Sequence, residues 1–263
     1  MKLLCRGSSF FGILLLSMAS LTATADTSLP PFGVFTMLEG QGVDVCEACL
    51  KALEALPSDL TGCERNYDPA LGFEVGPFWE EISPRENLAL LKKVMLLIQP
   101  PPQGISGSIF DGRNFDREIR GQMEHGGIEL SLAKIDIDND GRSEPVLRFR
   151  KGACIGHGEA LHVQYQPLLV LQADRLSVDL GKTDLVMQNP KKRKDLPFGS
   201  VWERIYDVFQ YKGAVYFDKW EWDDYNTADE NFSIFQAVSN NVNPLCKYRY
   251  ERRYQSQVQG KRP

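Results

Sequence analysis

Between residues 133 and 145 the chain reads Ala133-Lys134-Ile135-Asp136-Ile137-Asp138-Asn139-Asp140-Gly141-Arg142-Ser143-Glu144-Pro145, and three short carboxylates at alternate positions are its most specific chemical signal. Asp136, Asp138 and Asp140 would repel one another if brought close, and Gly141 permits a turn sharp enough to wrap them round one point. A hard, oxygen-seeking cation resolves that conflict. Ca2+, which takes roughly six to eight oxygens in irregular geometry, accepts such a set more readily than Mg2+ does. Arg142 would add its backbone carbonyl, and Glu144 a carboxylate bound directly or through water.

An EF-hand is excluded, because its bidentate acid at the twelfth loop position would fall on Leu147 and the flanks here alternate like strands. The segment instead resembles the D-x-D-x-D-G-x-x-D calcium loops of FG-GAP and VCBS-type repeats, which also occur in integrin α-chain propellers and join two strands. The match covers about 13 of 263 residues and includes the apolar Ile137 and the strand-like Pro145-Val146-Leu147-Arg148-Phe149. The resemblance implies Asp136, Asp138, Asp140, the Arg142 backbone and Glu144 as ligands of Ca2+. Glu144 stands where those repeats usually carry Asp, and the loop occurs once, whereas a propeller needs several blades. The propeller fold is therefore not expected.

The other candidate chemistry is weaker. Cys46 and Cys49 form a C-x-x-C, yet they lie in an amphipathic helical segment, Asp44 to Leu56, without the strand-then-motif context of a thioredoxin-type site. A structural role is expected, with Cys46 bridged to Cys63 and Cys154 to Cys246. The histidines, His125, His157 and His162, share no helix face and no hydrolase or zinc-protease motif, and read as turn or edge residues. Aromatic residues crowd the stretch from Trp202 to Phe235. Tyr216, Trp220 and Trp222 would share one face of a hairpin, where they would be core if covered, or a surface for a glycan or protein partner if exposed.

The elements that must position these groups are legible in outline. Residues 58–82, with Pro69, Gly72, Gly76 and Pro77, read as irregular, anchored by Tyr67, Phe73, Phe78 and Trp79. Ser83-Pro84-Arg85-Glu86 is a capping box, predicting a helix from residue 84 to about 98 with Leu88, Leu91, Met95 and Ile98 on one face. From Gly104 onward the pattern turns to strands: 128–132, 146–150, 168–171, a hairpin of 201–211 and 214–222 turning at Lys212-Gly213, then 232–238 and 246–254. An α+β fold is expected, with a helical, disulfide-bearing subregion (26–103) packed on a mainly antiparallel sheet of the β-rich region (104–263), the two forming one globular unit.

Residues 1–25 read as a secretory signal peptide, with Lys2 and Arg6, an apolar run from Phe10 to Leu16, and Ala23-Thr24-Ala25 before Asp26. Removing those 25 residues takes 30 basic residues to 28 against 35 acidic ones, and leaves five cysteines in a compartment that permits oxidation. The run is too short for a spanning anchor. The acidic balance gives no electrostatic footprint for nucleic acid; the basic run at 191–194 reads as a solvated loop, and the stretch from Lys247 adds another basic patch. The expectation is an exported, periplasmic or extracellular, Ca2+-stabilised protein whose role is structural or binding rather than catalytic, with a protein or glycan partner. Two rivals are an envelope-acting hydrolase using Glu203, Asp218 or Asp223, and an inhibitor or immunity-type protein docking on a secreted enzyme.

Overall fold

The computed structural model describes residues 33–55, 67–98, 112–124, 127–152, 165–187, 204–222, 229–239 and 241–252. The signal-peptide segment, all three histidines, Cys63, Cys154, Glu203, Asp223 and the basic run at 191–194 lie outside them.

Strand β1 (Gly33–Glu39) leads through a tight turn into helix α1 (Asp44–Glu54). That turn needs glycine at residue 40. Gly40 has φ +100°, and a Cβ there would sit 2.6 Å from Cys46 Sγ and 2.7 Å from the Leu245 carbonyl. Val43 offers α1 no side-chain cap, but Asp44 and Glu47 in the first turn and Lys51 in the last suit the helix dipole. Lys212 ties Asp44 down at 2.7 Å.

A single 3-10 turn (Pro69–Leu71) precedes the short strands β2 (Phe73–Glu74) and β3 (Glu80–Ile82). Helix α2 (Leu88–Ile98) begins one turn later than the capping box predicts. Ser83 does accept the Glu86 N–H at 3.3 Å, but residues 84–87 form a turn stitched by Asn87 to the Ser83 carbonyl before the helix proper starts. Its apolar face is as expected, with Leu91, Met95 and Ile98 buried. Phe78, expected as an anchor, is 81% exposed, whereas Phe73 is buried and Trp79 partly so.

Helix α3 (Gly112–Glu124) was not expected from the sequence, and it delivers Ile119 to the core. Strands β4 (Ile128–Ile135) and β5 (Glu144–Lys151) pair antiparallel in unbroken register from Ile128↔Lys151 to Ile135↔Glu144, so the acidic segment is their connection. Then come β6 (Leu168–Val170) and a short helix α4 (Leu180–Met187), the latter also unforeseen. The expected hairpin is present as β7 (Arg204–Tyr211) and β8 (Ala214–Trp222), followed by β9 (Asp229–Val238) and β10 (Asn241–Arg252).

The described strands form two antiparallel sheets, a six-stranded one in the order β1-β10-β9-β8-β7-β2 and a four-stranded one in the order β3-β4-β5-β6. Tyr165 and Gln166 join them: Tyr165 bridges Lys151 of β5, and Gln166 pairs in parallel with Ile205 of β7. The result is a curled half-barrel surface in an α+β arrangement, not a propeller. Because β1, β2 and β3 come from the first hundred residues, that part of the chain shares both sheets with the β-rich part.

Both faces of the six-stranded sheet are covered. On one side α1 packs Val45, Ala48, Ala52 and Leu53 onto Ile205, Phe209, Phe232 and Tyr248. On the other, Tyr206, Val208, Phe217 and Phe235 belong to a larger core built from α2 and the four-stranded sheet. Each fully buried aliphatic or aromatic side chain is worth about 1.5–3 kcal/mol of transfer free energy, so this double covering holds the layers together.

The expected disulfides are corrected here. Cys46 of α1 is bonded to Cys246 of β10, with Cα atoms 5.6 Å apart, so neither the Cys46–Cys63 nor the Cys154–Cys246 bridge forms. The reason is topological: α1 lies directly on β10, and Tyr248 donates to the Cys46 carbonyl at 2.7 Å beside the bond. Cys49, three residues along the helix, is buried in the same core.

Candidate metal centre

The acidic loop begins where β4 ends. Asp136 caps it from within, its Oδ1 accepting the Asp140 N–H at 2.9 Å and its Oδ2 the Gly141 N–H at 2.8 Å. Asp140 in turn accepts the Arg142 N–H at 2.8 Å. Asn139 and Gly141 have φ of 56° and 88°, left-handed conformations that suit asparagine and glycine. This wrapping turns the three aspartates toward one point, with ligating oxygens all within 4.8 Å of one another. The cluster could hold a metal ion.

Asp138 is the inner member. It is 7% exposed, and its Oδ1 is buried with no hydrogen-bond donor. Burial pushes its carboxyl above the usual carboxylate value, and the charges of Asp140 and Glu144 push the same way. A buried carboxylate oxygen without a donor is costly unless a cation meets it. Every donor the cluster offers is oxygen, which fits a hard divalent ion.

The remaining expected ligands are placed differently. Glu144, the first residue of β5, accepts the Ile137 N–H at 3.4 Å and is paired with Lys182 of α4. The hydrogen bond from the Lys182 ammonium to the Glu144 carboxylate is the main reason that ammonium is held above its ordinary pKa. Arg142 is exposed, and its N–H serves Asp140. Two residues that the sequence reading passed over matter here. Asn139 reaches out of the loop to the six-stranded sheet, donating to the carbonyls of Val215 (3.2 Å) and Ala237 (3.0 Å) and accepting the Val215 N–H at 2.8 Å. Its type at that position was visible, but its target 76 residues away was not. Lys182 had no local signal at all.

Of the two alternatives for the aromatic face, the structure favours core. Trp220 is 4% exposed, packed among Phe35, Phe232 and Tyr250 at centroid distances of 5.7–5.8 Å. Tyr216 is half-buried and stacks on Phe209 at 5.6 Å. Both lie on the face that α1 packs against, where Phe35 of β1 also meets Trp220, so Trp220 is core and not a contact surface. Trp222 pairs with Glu230 in the ladder, and its side chain lies outside the described set. Of the carboxylates considered for a hydrolase, Asp218 is fully buried and accepts a hydrogen bond from Tyr67.

Comparison of the chain with protein-family models, with curated proteins and with solved structures gave no match.

Proposed function

We propose that this chain is an exported, Ca2+-stabilised protein of the cell envelope or extracellular space, non-catalytic, with a structural or partner-binding role. Asp136, Asp138, Asp140 and Glu144, with the Arg142 carbonyl, would hold the ion. Bound there, Ca2+ supplies positive charge that offsets the crowded carboxylates and fixes the connection between two strands. The observation that carries the reading is the buried, donorless Oδ1 of Asp138 within a cluster of converging oxygens. Export is supported by the Cys46–Cys246 bond, which suits an oxidising compartment, and by the signal-like first 25 residues. Among the described residues no helix is long and apolar enough to cross a membrane. A protein or glycan remains the expected partner class.

The test is thermal unfolding with Ca2+ and with chelator. An ion present at 100 times its dissociation constant adds about 2.7 kcal/mol to the native state, which for a chain of this size raises Tm by roughly 5–10 °C. Asp138→Ala should abolish that gain. An identical midpoint with and without Ca2+ in the wild-type chain would remove the calcium reading.

A further inference from the structure

Glu144 is shared ground. Its side chain is 12% exposed, and it is the only one of the four loop carboxylates among the described residues bound by a cationic side chain. The partner, Lys182, is not a loose surface lysine. It stands in the first turn of α4, where its own N–H is capped by Asp179 Oδ1 at 3.0 Å. The next residue, Thr183, is fully buried and accepts the Val170 N–H of β6 at 2.9 Å, and Asp179 donates to the Val170 carbonyl at 2.8 Å. The helix start is thereby fixed on the strand beside β5, and the ammonium is held over Glu144.

We propose that Lys182 is a built-in competitor of the metal ion, neutralising Glu144 while the loop is empty and giving it up when the ion binds. The proposal rests on the reading of the loop as a Ca2+ site and adds a regulatory element to it. Four carboxylates in nine residues leave the empty loop strongly negative, and one ammonium offsets a quarter of that charge. A divalent ion that recruits Glu144 must displace the ammonium or share the carboxylate with it, and in either case the positive charge already present weakens binding. Lys182 thus sets the ion's affinity below what the carboxylates alone would give. Where the ion displaces the ammonium, the Lys182–Glu144 tie between α4 and β5 opens, while the bonds of Asp179 and Thr183 to Val170 still hold the helix start on β6.

Calorimetric titration of Ca2+ into the full chain and its variants tests this, with thermal unfolding alongside. Lys182→Met should bind Ca2+ about tenfold more tightly, unfold at lower temperature without the ion, and regain the wild-type midpoint when saturated. Lys182→Arg, which keeps the charge, should stay within about threefold of wild type. In a Glu144→Gln background the Lys182→Met gain should shrink to about threefold or less. Equal or weaker binding by Lys182→Met would overturn the competition while leaving the calcium site standing, and so would a gain that persists undiminished in the Glu144→Gln background. Absence of binding in both the wild type and Lys182→Met would remove the proposal and the calcium reading together. Asp138→Ala serves as the non-binding control.

Discussion

At the residue scale, Asn139 and Asp138 divide the work of the acidic loop. Asp138 turns inward toward the other carboxylates, while Asn139, in the left-handed conformation, turns outward and satisfies three backbone groups at the ends of β8 and β9. Each such bond contributes about 0.5–1.5 kcal/mol net, and the loss of all three leaves part-buried backbone groups unpaired. Asn139→Ala should therefore lower the unfolding free energy by about 1.5–3 kcal/mol in denaturant titration. Asn139→Gly, which relieves the backbone of the positive φ, should recover only a few tenths of that. Asn139→Asp should fare no better than Ala, since it sets a carboxylate against two carbonyl oxygens and adds a charge beside three others. A stability for Asn139→Ala equal to wild type would mean that the loop is not pinned to the six-stranded sheet. The three aspartates were legible because their chemistry is local: type, alternation and Gly141 sit within six residues. The roles of Asn139 and Lys182 were not, because each is defined by a partner brought to it by the fold.

At the element scale the same division holds. The β7–β8 hairpin, the β4–β5 pair and the apolar stripe of α2 all follow from patterns of period two or near four, read within one segment. Helix α3 escaped notice because it is largely polar, with Gly121 inside it and Ile119 as its one fully buried anchor among the side chains described. Helix α4 is short, and its start is capped by Asp179, the residue before it, rather than by a recognisable capping box. The disulfide shows the limit most clearly, since 200 residues separate Cys46 from Cys246 and nothing in cysteine spacing reports that β10 returns beneath α1. In the chain-entropy view a bond closing so long a loop stabilises by up to about 5 kcal/mol, through restriction of the unfolded chain. A Cys46→Ala/Cys246→Ala double variant should lose about 3–5 kcal/mol in equilibrium unfolding, with β1 and α1 losing amide protection first because they depend on β10. Unchanged stability of that variant would show that the packing of α1 alone carries the contact.

At the scale of the whole molecule, the decisive feature is that the six-stranded sheet is buried on both faces, which composition could not foretell. An alternating strand with Trp220 on one face is core when covered and an exposed aromatic platform when not, and the outcome depends on whether α1 packs on that face and the Phe35 ring of β1 turns in against Trp220. They do, and the same double burial encloses phenols in both cores: Tyr165 and Tyr206 on the side of the four-stranded sheet, Tyr248 beneath α1. Burial pushes all three hydroxyls far above the ordinary tyrosine value, because a phenolate inside either core would be stripped of water. The sign of the linkage follows directly. The native state holds these protons more tightly than the unfolded chain, whose phenols ionise near pH ~10. Their contribution to stability is therefore complete below that pH and is lost as pH rises above it toward the native values. An alkaline titration followed by phenolate absorbance should show the exposed tyrosines ionising first while near-ultraviolet dichroism is retained. The buried phenols should then ionise together in a single step that coincides with unfolding, because neither core can admit the charge and stay closed. Gradual ionisation of every tyrosine near pH ~10 with the dichroism intact would mean that at least one face of the sheet is open to water, and the two-sided core would have to be abandoned.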